Sequence, residues 1–331
     1  MSVGVQTIAL VSLLAQAVAG VLSPELNAIR MQIMSGKPDA ALTALQGMSD
    51  ASAEVRYLRG LAFYHKDDHV AAIGALAPVV KELPAASPER REAVQVLGLS
   101  YYVAGRLADA LPLLEETRQW ARGNRELGHV LARTYLQLRE DAKARVVIAE
   151  TFDVPPESVA AHLHTAQFMI RLELHDAAET ALRKALALDQ RAPQAHALLG
   201  QLAVARARLE EGVTLFKQAI DVNPLDAMAY YRLGEAYSRQ QKWDDAIVAL
   251  QQSLWINPYF SGPYIVLGRA YMTRGEPSTA EGMLRRAVEY DPNNKSAHYL
   301  LGQALQALGR EADAAREFEI AGRLTDAAQP R

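Results

Sequence analysis

Gly200, Gly234, Gly268 and Gly302 stand 34 residues apart, and Pro224, Pro258 and Pro292 keep the same step. So do Ala246, Ala280 and Ala314, and the pair Tyr237 and Tyr271. A fixed period of this size marks an array of stacked units, each touching only its neighbours, and not a globule around one core. The length of 331 residues would by itself suggest about two domains. An array overrides that expectation, because it lengthens without enlarging a core.

Each period reads as two helices. In the stretch 225–258, Ala229, Tyr230, Leu233, Gly234 and Tyr237 recur at helical spacing and form one apolar stripe. Gln240-Gln241-Lys242 interrupts it. Ala246, Leu250, Ser253 and Leu254 form a second stripe, which Asn257-Pro258 ends, since the residue before proline is driven out of the helical region. Gly234 falls in mid-helix, where glycine costs about 1 kcal/mol relative to alanine. A close helix crossing is the expected compensation, with Ala246 meeting Gly234 from the second helix and Tyr230 and Tyr237 at its flanks.

These residues resemble the tetratricopeptide repeat (TPR) family. Its pattern is a large residue at position 4, Leu-Gly at 7–8, an aromatic at 11, Ala at 20, an aromatic or Leu at 24, Ala at 27 and Pro at 32. The repeat from Ala227 carries Tyr230, Leu233, Gly234, Tyr237, Ala246, Leu250 and Pro258; that from Ser261 carries Tyr264, Leu267, Gly268, Tyr271, Ala280, Leu284, Ala287 and Pro292. Upstream the match thins but stays in register, as in Leu97, Gly98, Tyr101, Ala110 and Leu114, or Gly60, Phe63, Ala72, Leu76 and Pro84. The resemblance implies an all-α, right-handed superhelical solenoid of about nine helix-turn-helix repeats. They fall near 22–52, 53–86, 91–124, 125–158, 159–192, 193–226, 227–260, 261–294 and 295–328, with 329–331 as a tail. Ser23-Pro24-Glu25 and Ser87-Pro88-Glu89 read as helix starts: a capping serine, proline in the first turn, then an acid facing the positive helix end.

Composition narrows the chemistry. Half the chain is hydrophobic, and the net charge is −3 with no long basic run, which disfavours nucleic acid as a partner. With no cysteine there is no disulfide, thiolate nucleophile or cysteine-held metal. No HExxH, phosphate-cradling glycine loop or GxSxG occurs. His162 and His164 face different ways on a helix and make a poor metal pair. His162, His196 and His298 all occupy position 4 and read as packing histidines. Neither a catalytic site, a cofactor nor a metal is expected.

In this family the first helix of each repeat lines a concave groove through positions 2, 5, 9, 12 and 13. Carried onto this chain, the groove candidates are His129, Arg133, Gln167, Arg171, Gln201, Tyr231, Glu235, Arg239, Arg269, Met272, Tyr299 and Gln303, with Leu163 and Met228 on the same rows. Arg and Gln suit backbone and carboxylate hydrogen bonds, and Tyr and Met suit adaptable apolar contact. The Lys/Asn set of carboxylate-clamping co-chaperones and the asparagine ladder of the O-linked sugar transferases are both missing. The implied function is a non-enzymatic scaffold binding a protein or peptide partner. The alternative is an assembly factor of a bacterial envelope machine, for polysaccharide export, pili or the outer membrane. Arg316, Glu317, Glu319 and Arg323 suggest a polar cap on the last repeat, hence a monomer.

Residues 1–21 lie outside the repeat, carry no charged side chain and hold a nearly continuous apolar run at 8–18 that ends in Ala17-Val18-Ala19, a small-x-small cleavage pattern. The expectation is a signal peptide and an exported, periplasmic or extracellular protein. The alternatives are a retained membrane anchor, or an apolar helix covering the first repeat of a cytoplasmic protein. Sequencing of the mature N-terminus should find Gly20 first. An intact Met1 on soluble cytoplasmic protein would overturn export.

Overall fold

The computed structural model describes residues 22–327, so the leader expected at 1–21 and the tail at 329–331 lie outside the described residues. Among the described residues there are eighteen α-helices and no strand. They pair as α1 (Pro24–Met34) with α2 (Pro38–Leu45), α3 (Ala53–His65) with α4 (His69–Glu82), α5 (Pro88–Val103) with α6 (Leu107–Trp120), and α7 (Arg125–Gln137) with α8 (Asp141–Thr151). Then follow α9 (Val159–Arg171) and α10 (His175–Leu188), α11 (Pro193–Ala205) and α12 (Leu209–Val222), α13 (Ala227–Arg239) and α14 (Trp243–Ile256), α15 (Ser261–Thr273) and α16 (Pro277–Tyr290), α17 (Lys295–Ala307) and α18 (Glu311–Ala327). This is an all-α repeat solenoid. No described helix is long and apolar enough to cross a membrane. The described residues fall into two compact units, one ending at Phe168 and the other starting at Met169, a division inside α9 that the repeat arithmetic does not signal.

The two helices of a repeat are joined at position 15 by one left-handed residue: Gly36, Asp67, Gly105, Arg139, Glu173, Ala207, Gln241, Gly275 and Gly309 all have positive φ. At Gln241 the Lys242 N–H donates to the Tyr237 carbonyl at 3.0 Å and the Gln241 N–H to Ser238 at 3.1 Å, which satisfies carbonyls that the helix end would leave bare. Serine caps start α1 and α5 as expected, with the Ser23 hydroxyl accepting from the Leu26 N–H and the Ser87 hydroxyl from the Arg90 N–H.

Position 8 sets how closely the paired helices approach. A Cβ added at Gly234 would fall 2.6 Å from Leu250 Cγ, and one at Gly268 2.5 Å from Leu284 Cγ. At Gly200 and Gly302 the obstacle is the ring of Phe216 or Phe318. The partner is thus the large residue at position 24. Ala246, expected to meet Gly234 from the second helix, does approach it: its carbonyl oxygen is the next nearest atom after the Leu250 side chain, at 3.3 Å. Position 20 is a floor of fully buried alanines, among them Ala72, Ala110, Ala144, Ala178, Ala246 and Ala280.

Position 4 carries the link between repeats. Tyr264 donates its hydroxyl to the Pro258 carbonyl at 3.1 Å, and the Nε2 atoms of His196 and His298 reach the carbonyls of Gln190 and Pro292 at 3.0 and 2.9 Å. In these three the polar tip meets the carbonyl six residues back, so tyrosine and histidine can interchange there, while Tyr230 at the same position makes no such bond.

Two stability outcomes follow from these contacts. Gly268→Ala should destabilise by about 1–3 kcal/mol, Leu284→Ala by about 2–5, and the double variant by clearly less than the sum, because truncating Leu284 makes room for the new methyl. Strict additivity in denaturant unfolding would show that this crossing is not the constraint. At the joint, a non-glycine left-handed residue costs about 1–2 kcal/mol, against about 0.5–1 for the extra freedom of unfolded glycine. Ala207→Gly should therefore stabilise the protein by about 0.5–1 kcal/mol, read as a raised denaturation midpoint.

Candidate binding trough

The first helices of the C-terminal half put their open faces in a row. Tyr231 and Glu235 on α13, Ile265 and Arg269 on α15, and Lys295 and Tyr299 on α17 line one hollow of about 420 Å³. Gln201, Arg232, Glu235 and Arg239 line a second of about 250 Å³, towards α11. Lys295, Tyr299, Gln303 and Gln306 line a third of about 490 Å³, closed on one side by Phe318, Ala321 and Gly322 of α18. The first two share Glu235, and the first and third share Lys295 and Tyr299. They form one trough across α11, α13, α15 and α17.

Its electrostatics depend on one carboxylate. Glu235 accepts from the Tyr231 hydroxyl at 2.8 Å and from Arg232 Nη1 at 2.8 Å. Burial, reinforced by the bond to Glu235, pushes the Tyr231 hydroxyl well above the usual phenol range, so Tyr231 remains a donor. Arg239, Arg269 and Lys295 have no carboxylate partner among the described residues. Elsewhere in this half several arginines are matched: Arg206 with Asp176 at 2.6 Å, Arg274 with Asp244 at 2.5 Å, Arg285 with Glu281 at 2.8 Å and Arg310 with Glu281 at 2.7 Å, whereas Arg191 and Arg316, on the repeat seam and the last helix, pair with no carboxylate among the described residues. Tyr299 is 50% exposed, a large aromatic face open to a ligand.

Of the groove candidates, Gln201, Tyr231, Glu235, Arg239, Arg269, Tyr299 and Gln303 come together here. Met272 does not: it packs partly buried against the core around Leu284, Leu301 and Leu305. Position 12 there faces the next repeat, not the trough. Leu163 is likewise buried, a correction to its groove placement. Arg171 is exposed on α9 and is not among the residues that line these hollows. Arg232 and Lys295 belong to the trough although positions 6 and 1 were not groove positions in the sequence pattern. The end of α18 also differs from the expected polar cap. Arg316, Glu319 and Arg323 face solvent, but Glu317 turns in to His298 at 2.6 Å, and Gly322 stands where Ile220, Leu254 and Val288 seal earlier repeats.

The N-terminal half is built differently. Position 2 of α5 is Glu92, buried and holding Arg30 Nη2 at 2.7 Å together with the Tyr57 hydroxyl. Gln95, at position 5, is also buried, so this helix offers no open row. His129 and Arg133 are exposed on α7, and Gln167 is half-buried on α9. His129 joins an aromatic cluster: the Phe152 ring stacks on His164 at 4.1 Å, and Phe168 lies 5.3 Å from His129. Phe152 is placed there because α8 stops early at a left-handed Asp153 before Pro155-Pro156. Position 4 of this repeat is Gly128, and a cleft of about 590 Å³ opens beside it between Arg118, Arg122, Tyr135 and Thr151.

No curated protein sequence matches the chain. Among solved structures, residues 41 to the end of MamA from Desulfovibrio magneticus RS-1 are 20% identical, over 52% of this chain and 97% of that one, with a TM-score of 0.47. YrrB, a TPR protein with an unusual peptide-binding site, is 19% identical over 56% and 95%, TM-score 0.45. A TPR protein from Parabacteroides merdae ATCC 43184 is 21% identical over 77% and 99%, TM-score 0.43. At these values the likenesses carry no functional argument. The family models are more direct. A tetratricopeptide repeat model matches residues 35–87, 197–256 and 265–328, just over half the chain, and a second matches 96–116. With the repeated helix pairs, the left-handed joint at position 15 and the glycine crossing at position 8, the chain belongs to the tetratricopeptide repeat family.

Proposed function

We propose that the chain is a non-enzymatic interaction scaffold that holds a peptide or protein segment along the trough of α11, α13, α15 and α17. The observation that carries this reading is the continuity of the three hollows through Glu235, Lys295 and Tyr299. A continuous channel lined by arginine, glutamine and tyrosine suits an extended chain, whose backbone and side chains it meets in turn. The apolar segment at 8–18 and the Ala17-Val18-Ala19 pattern support placing this scaffold outside the cytoplasm.

A second reading, an assembly factor that bridges two partners, has its own observation. Val248 is 68% exposed and Trp255 73% exposed on the outer side of α14. Their counterparts one repeat away are Thr214 and Gly282, and Asp221 and Glu289. An apolar ridge at positions that are polar or bare in the two adjoining repeats supports a second contact surface.

A photo-crosslinking residue at Gln303 should capture a partner in envelope fractions and map to one continuous segment of it, while the same probe at Thr214 on α12 should not. Equal capture from both positions would move binding out of the trough. If Trp255→Ala leaves trough capture intact but releases a second component from the complex, the bridging reading holds.

A further inference from the structure

From the charges in the trough we infer that the segment it binds is acidic, with at least two carboxylates set to reach Arg239, Arg269 and Lys295. This inference rests on the trough as the binding surface. The lining residues Arg232, Arg239, Arg269 and Lys295 are cationic, and Glu235 is the one carboxylate among them. Both Glu235 oxygens are engaged, by Tyr231 and Arg232. The chain as a whole is net negative at −3, so the trough reverses the sign of the molecule. On the turns and outer helices of the same half, Arg206, Arg274, Arg285 and Arg310 each hold a carboxylate of the chain itself. Exposed cations left unmatched side by side along a concave channel repel each other and gain from an incoming carboxylate, with which arginine forms two parallel hydrogen bonds.

The apolar part of the ligand is set by the same walls. Ile265 and the faces of Tyr231 and Tyr299 line the central hollow next to Arg269 and Lys295. An aliphatic or aromatic side chain between two acids satisfies both the tyrosine faces and the cations. The partner chemistry is therefore an acidic linear segment with an embedded apolar residue. Its affinity should fall with ionic strength, because Arg239, Arg269 and Lys295 are exposed to screening.

The test is selection from a random linear peptide library displayed on phage, against the full protein and against the Arg239→Glu/Arg269→Glu variant, with helicity of both checked by circular dichroism. Wild type should enrich peptides rich in Asp and Glu around an apolar residue, and charge reversal should weaken these by about tenfold or more and enrich Lys and Arg instead. A Tyr299→Ala variant should weaken the acidic peptides without changing the charge preference. If neutral peptides are enriched on wild type, are lost with Tyr299→Ala and ignore the charge reversal, the trough stands and the acidic inference is overturned. If neither variant changes the selected set, the trough itself is overturned as the binding surface. If the reversed variant is no longer helical, Arg269→Gln provides the comparison, with weaker acidic binding expected and unchanged binding overturning the inference.

Discussion

A missing methyl group sets the distance between the two helices of six of these repeats. At Gly60, Gly98, Gly200, Gly234, Gly268 and Gly302 the position-24 side chain lies where a Cβ would stand or against it. The crossing brings the position-20 alanine close, so that side chain must be small too. Ala72, Ala110, Ala246 and Ala280 are accordingly fully buried. Dispersion falls steeply with distance, so a close crossing gives every atom along both helices more contact than larger residues at a wider separation would. The first helices can then turn their other side outward, and in the C-terminal half that side becomes the trough.

The sequence made the repeat legible because its constraints are local and periodic. Leu-Gly at positions 7–8, alanine at 20 and proline at 32 reflect contacts repeated at the same offset, so one chain displays each constraint several times. The groove rows follow the same period, and seven of the twelve candidate residues line the three hollows. What the pattern left open depends on pairing in space. Nothing in the order of residues says that Glu235 spends both oxygens on Tyr231 and Arg232, or that Arg274 finds Asp244 thirty residues away while Arg269 pairs with no carboxylate among the described residues. Met272 sits on a groove row by position and in the core by packing, since the next first helix closes over it. The early end of α8 before Asp153-Val154-Pro155-Pro156 is not read from the repeat pattern, and its consequence, Phe152 stacked on His164, requires the backbone path.

Position 4 shows how a family pattern can be obeyed through chemistry rather than identity. Tyr264, His196 and His298 differ in size and polarity, yet each carries a polar atom that reaches the carbonyl six residues back. The pattern describes a large residue, and the structure shows why two side chains with a polar tip serve it. Gly128 has no such tip, and the repeat beginning at Arg125 opens the cleft of about 590 Å³ beside it. One departure from the pattern thus changes the surface locally while α7 and α8 keep their pairing.

The left-handed joint at position 15 gives the chain a particular grammar of tolerated change. Because each joint reverses the backbone by the same local hydrogen bonds, whatever side chain it carries, the path through a repeat is rebuilt afresh every 34 residues and inherits nothing from the sequence of the joint before. Loss or duplication of a whole repeat would move one seam and leave the neighbouring crossings paired as they were. Loss of a single residue inside a helix would rotate all that follows by about a hundred degrees and part Gly268 from Leu284 or Gly234 from Leu250. Variation in length is therefore cheap in steps of one repeat and costly in steps of one residue, so a lineage of such chains can change its reach along a partner without redesigning any of its contacts.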